Sequence, residues 1–85
     1  MGKLRKLLSA VLSGSGDTAT SFTELCHLLK RLGISERIAG SHHLFSKPGV
    51  VELINLQEDG KHAKPYQVRQ VRSVLVKYRL GDADV

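Results

Sequence analysis

Tryptophan is absent from this 85-residue chain, and its rings are limited to Phe22, Phe45, Tyr66 and Tyr78. Modules that hold single-stranded nucleic acid by stacking bases on several rings, such as RRM and single-strand-binding OB domains, need more aromatic surface than that. The single cysteine, Cys26, has no partner for an internal disulfide. It falls in an apolar helical pattern, where it reads as a small core residue in a reducing compartment. No run of about 18 apolar residues is present, so no membrane span is expected. Leu7–Leu12 is interrupted by Ser9 and lacks the cleavage region of a secretory signal, which makes the cytoplasm the expected location. The four histidines and one cysteine show neither an HExxH element nor paired-cysteine spacing. Metal chemistry therefore fits poorly, and no metal or other cofactor is expected.

What is present is ordinary globular material. Apolar residues make up 41% and charged residues 25%, a balance suited to one small domain with a modest core. The net charge of +5 is unevenly spread. Residues 1–16 carry Lys3, Arg5 and Lys6 with no acid, and residues 65–79 carry Arg69, Arg72, Lys77 and Arg79 with none. The intervening chain is balanced, and Asp82 and Asp84 mark an acidic tail over 81–85. A wholly basic helix attracts phosphate backbones by counterion release, although a solvated helix face has the same composition.

The patterning gives an order of elements. Lys3 to Leu12 is basic and partly amphipathic, and Ser13-Gly14-Ser15-Gly16 has the composition of a flexible linker. Residues 1–16 are therefore expected to be an extension, a short helix that docks loosely. The domain proper spans 17–80. Ser21-Phe22-Thr23-Glu24 fits a capping box, and Phe22, Leu25, Cys26, Leu28, Leu29 and Leu32 follow on one helical face. Gly33 is the natural stop, which predicts a helix over 21–32. Extended runs are predicted over 34–39, 42–46 and 50–56, separated by Gly40-Ser41 and Lys47-Pro48-Gly49, and together they form an antiparallel meander. A polar connection occupies 57–64. Pro65 opens a last helix with Val68, Val71, Leu75 and Tyr78 on one stripe and Gly81 as its end. Helix, three strands and helix, with both helices on one face of the sheet, make an α+β sandwich.

The chemistry-bearing segment is Gly40-Ser41-His42-His43-Leu44-Phe45. Imidazole alone has an unperturbed pKa, about 6.5, suited to both taking and giving protons near neutrality. At a strand start beside a tight turn, in a basic protein, the pair points to proton transfer on an anionic substrate. Polar surface is the bland alternative. Strand alternation separates the two: with Phe45 in the core, His43 shares its side and His42 faces outward. Lys47, then Arg37, are the cations expected near the site, set against a solvated-surface reading, and Gly40 and Ser41 are expected either to let phosphate approach the backbone or to form a plain turn. Glu52 offers a carboxylate able to orient an imidazole, set against an exposed-face reading. His27 reads as a partly exposed helix residue.

Gly-Ser-His-His-Leu-Phe resembles the Gly-Ser-His-x-x-Phe/Tyr signature of HicA toxins, the mRNA interferases of HicA–HicB toxin–antitoxin systems. The resemblance covers about residues 18–80, and Lys64-Pro65-Tyr66-Gln67-Val68-Arg69-Gln70-Val71-Arg72 is similar to the closing helix of one HicA branch. The extension over 1–16 departs from the compact family pattern. The connection over 57–64 lacks the Pro-x-His element many members carry there, which leaves His62 a weak counterpart.

What the resemblance implies is a fold similar to a double-stranded-RNA-binding domain and metal-independent RNA cleavage. The catalytic histidine falls on His42 in the commoner register and on His43 in the other, with His42 preferred. Gly40, Ser41, Lys47, Arg37, Lys64, Arg69 and Arg72 are the expected RNA contacts. A HicB-type antitoxin that covers the site is the expected partner, with mRNA as substrate and no membrane. Two other classes stay open: a non-catalytic double-stranded-RNA-binding module and a protein-interaction module without RNA contact.

Overall fold

A computed structural model describes residues 2–82. The element order is α1 (Lys3–Ser13), α2 (Phe22–Arg31), β1 (Ser35–Ala39), β2 (His42–Ser46), β3 (Ile54–Gln57) and α3 (Pro65–Lys77), closed by a short 3-10 turn over Leu80–Asp82. The strands form one antiparallel sheet in the order β1-β2-β3. This is the expected α+β arrangement of helix, three-stranded antiparallel sheet and helix, with an N-terminal helix added. No helix among the described residues is long and apolar enough to cross a membrane.

Local chemistry accounts for most of the boundaries. Ser21 caps α2, its hydroxyl accepting a bond from the Glu24 amide at 3.3 Å, as the capping pattern predicts. At α3, Pro65 takes the first position and the Lys64 amide donates to Gln67 Oε1 at 3.2 Å. The other end of Gln67 donates to the Gln57 carbonyl at 3.2 Å, so this fully buried amide is satisfied and pins α3 to the end of β3. An isolated bridge between Ser21 and His62 fastens the connection after β3 to the start of α2.

Two boundaries differ clearly from the sequence reading. The last strand begins at Ile54, because the chain before it is drawn toward the end of α3: the Val51 amide donates to Tyr78 Oη at 3.2 Å. Helix α3 ends at Lys77 rather than running to Gly81, with Arg79 in a left-handed conformation (φ 56°) that turns the chain out of the helix. Gly81 has another role: a Cβ there would lie 2.9 Å from Leu12 Cδ1, so the C-terminal turn rests directly on α1.

The largest difference concerns residues 1–16. Helix α1 packs against both α2 and α3, and Leu8 and Val11 are buried in the same apolar cluster as Leu25, Leu29, Phe45, Ile54, Leu56 and Leu75. Gly14, at φ 80°, caps α1 with its amide on the Ala10 carbonyl, which is a helix end rather than a loose linker. Arg72 from α3 reaches back to Asp17 through two bonds, of 3.0 and 3.1 Å, and donates to the Val11 carbonyl at 3.1 Å. The extension is part of the core.

Candidate functional site

Strand β2 places the two histidines on opposite faces of the sheet. Its partners are Ala39 and Gln57 at His42, Ile38 and Leu56 at His43, and Glu36 and Ile54 at Phe45. Phe45, Ile54 and Leu56 are buried beneath α2 and α3. With a two-residue side-chain period, His43 lies on that covered face. His42, Leu44, Arg37, Asn55 and Gln57 lie on the other.

On the open face, His42 stands directly after the hairpin turn. Gly40, at φ 63°, and Ser41 form a two-residue connection between paired Ala39 and His42. Ser41 is not among the positive-φ residues, the pattern of a type II′ turn, whose first position favours glycine. His42 Nδ1 lies 3.1 Å from Asn55 Oδ1. An amide oxygen accepts a bond, so Nδ1 carries the proton in the neutral ring and Nε2 presents its lone pair to solvent. Arg37 pairs with Leu44, which makes it a diagonal neighbour of His42, roughly 7–8 Å away along the sheet and exposed. A proton acceptor with its tautomer set by an amide, next to an exposed guanidinium, is an arrangement able to deprotonate a hydroxyl beside a phosphate.

The covered face offers a different chemistry. His43 Nδ1 bonds Glu36 Oε2 at 2.7 Å, and its Nε2 lies 3.7 Å from Glu58 Oε1. The ring meets Phe22 edge-on, with centroids 5.0 Å apart. Lys30 reaches the other Glu36 oxygen at 3.2 Å. Burial raises the Glu36 carboxyl pKa, but the bonds from His43 and Lys30 outweigh it and the group sits below its ordinary value. Buried Cys26 joins this cluster, and burial, with Glu36 adding to it, pushes its thiol up to about 12. A thiol so disfavoured as thiolate is a poor nucleophile.

The remaining expected contacts scatter. Gly40 and Ser41 form the exposed tip beside His42. Lys47 lies beyond the far end of β2, five residues from His42 and so roughly 16 Å along the strand. Its Nζ sits 3.3 Å from where a Gly33 Cβ would stand, over the end of α2, and Arg37 is the cation that joins His42 instead. Lys64 pairs with Asp59 at 2.9 Å. Arg69 is exposed on α3, a helix that packs on the covered face. Arg72 is committed to Asp17 and the Val11 carbonyl, which makes it a structural group rather than a surface contact. Glu52 holds Lys77 at 2.7 Å and Tyr78 Oη at 2.5 Å, at the opposite end of the sheet from His42. His27 is exposed on α2.

Asn55 is the participant that sequence reasoning missed. Its signal was available: alternation through Ile54-Asn55-Leu56-Gln57 puts Asn55 on the same face as His42 once Phe45 fixes which side is core. Glu36, seven residues from His43 in the same hairpin, was legible from the register that the Gly40-Ser41 turn sets, whereas nothing local links Glu58 to His43. No family model, no curated protein and no solved structure matches this chain.

Proposed function

We propose that the protein is an endoribonuclease of the HicA toxin type that cleaves mRNA without a metal ion, with His42 as its general base. The observation that carries this reading is the placement of His42: at the tip of the Gly40-Ser41 hairpin, on the open face, with Nδ1 held by Asn55 Oδ1 at 3.1 Å. The resemblance of Gly40–Phe45 to the HicA signature supports it independently.

RNA brings its own nucleophile. His42 Nε2 takes the 2′-hydroxyl proton as the oxygen attacks the adjacent phosphorus, a contribution of about 10²–10⁴-fold for general base catalysis. The phosphorane gains negative charge, and Arg37 stabilises it more than the ground state. The bond to the 5′-oxygen then breaks and that oxygen takes a proton from water. The products are a 2′,3′-cyclic phosphate and a 5′-hydroxyl. Gly40, without a side chain, leaves the backbone at the tip open to the phosphate.

On this reading the protein acts in the cytoplasm and needs a restraining partner, since free activity would damage the cell that makes it. A HicB-type antitoxin that covers the open face is that partner.

The test is cleavage of RNA by the purified chain in EDTA, with wild type, His42→Ala and His43→Ala compared at equal folded fraction. Cleavage by wild type and by His43→Ala, but not by His42→Ala, is the expected result. Salt-sensitive RNA binding with no cleavage by any form would replace this reading with the binding module.

A further inference from the structure

The cluster on the covered face supplies an inference that does not depend on RNA cleavage. Three side chains of three different donor types converge there from three elements: Cys26 from α2, Glu36 from β1 and His43 from β2. One ligand atom of each lies within 4.8 Å of the other two. They line a cavity of about 170 Å³. Glu58, whose side chain is half exposed, adds a carboxylate at its edge, with Oε1 3.7 Å from His43 Nε2.

We infer that Cys26, Glu36 and His43 form a binding site for a zinc-class divalent cation, with water as the fourth ligand. A thiolate, an imidazole and a carboxylate are the donors of tetrahedral zinc sites, whereas calcium and magnesium take oxygen donors alone. Bond lengths of about 2.0–2.3 Å to zinc put neighbouring ligand atoms roughly 3–4 Å apart, so the most widely separated donors close by up to about an ångström while His43 Nδ1 and Glu36 Oε2, 2.7 Å apart, open slightly. The ion takes the place of the proton shared by His43 and Glu36, whose 2.7 Å bond gives way to one coordinate bond from each residue. Lys30, 3.2 Å from Glu36 Oε1, leaves Oε2 for the ion. The Cys26 S–H proton passes to solvent as the sulfur–metal bond forms, the His43 proton moves through solvent from Nδ1 to Nε2, and no electron changes hands. Bound there, the ion clamps α2 to β1 and to the strand that carries His42.

Co²⁺ is the probe, added to untagged, reduced protein. The expected result is one equivalent bound, with a thiolate-to-cobalt charge-transfer band in the near ultraviolet and visible bands of tetrahedral intensity. Zn²⁺ should displace it stoichiometrically and raise the melting temperature. Cys26→Ala should lose the charge-transfer band, and His43→Gln should weaken binding at least tenfold, with circular dichroism confirming that both are folded. His27→Ala, which alters an exposed histidine beside the cluster, should leave binding unchanged. The inference is overturned if wild type shows no thiolate band, or if the band survives Cys26→Ala. Cysteine-independent cobalt uptake lost in His27→Ala would assign the metal to the surface. None of these readouts involves RNA, so failure here leaves the ribonuclease reading intact, and the reverse holds.

Discussion

His42 and His43 are consecutive, yet the two faces of the sheet give them opposite surroundings. On the open face, His42 has one neutral partner, Asn55, and a free edge toward solvent. On the covered face, His43 has Glu36 bonded to Nδ1, Glu58 at 3.7 Å from Nε2, a phenyl ring in edge contact and a helix above it. The first environment leaves a proton acceptor available to an incoming ligand. The second engages Nδ1 with Glu36, which ties β2 to β1 and, through Lys30, to α2. Accessibility rather than residue type separates the two: a group already satisfied by charged partners must break those bonds before it can act.

Substitutions divide along the same line. His42→Ala should lower RNA cleavage by about 10²–10⁴-fold while the urea midpoint stays at the wild-type value. A large loss of stability in this variant would show that the open face is not a separate functional layer. Leu8→Ala should cost about 2–5 kcal/mol in chemical denaturation, as for other buried leucines, because α1 belongs to the core; an unchanged midpoint would return residues 1–16 to a loose extension. His43→Ala leaves Glu36 without one partner and removes the edge contact with Phe22. A cost of about 1–3 kcal/mol should appear in urea unfolding, with cleavage retained at equal folded fraction.

Two smaller effects sharpen the contrast. Asn55→Ala removes the bond that sets the His42 tautomer. A bond worth about 1 kcal/mol corresponds to somewhat less than a tenfold fall in cleavage rate, and stability should hardly move. The acid side of the stability profile should reveal the far end of the sheet. Bonds from Lys77, then Tyr78, hold the Glu52 carboxyl down to about 2 from its ordinary 4.5. Because the folded value is the lower one, its contribution is complete above the ordinary carboxylate range and fades as the pH falls from about 4.5 toward 2. Glu52→Gln should flatten that part of the profile and leave neutral-pH cleavage as it was.

Periodic and local signals made much of the molecule readable. The Ser21 cap, the apolar stripe of α2, the Gly40-Ser41 hairpin and Pro65 at the start of α3 are each specified within a few residues. Alternation along β2 separated His42 from His43 as soon as Phe45 was assigned to the core. Lys47 and Arg72 were misplaced because charge on a linear chain does not tell a cation beside the site from one that lies over a helix end or meets a distant acid. Arg72 and Asp17 are 55 residues apart, and no local pattern links them.

The sequence alone determined the element order, the starts of α2 and α3 and the outward face of His42, because capping, turn geometry and side-chain periodicity act over a few residues. Only the tertiary structure decided that α1 completes the core and that Cys26 meets Glu36 and His43. Those outcomes depend on packing among elements distant in the chain, where burial and register bring together residues whose separation carries no pattern of its own.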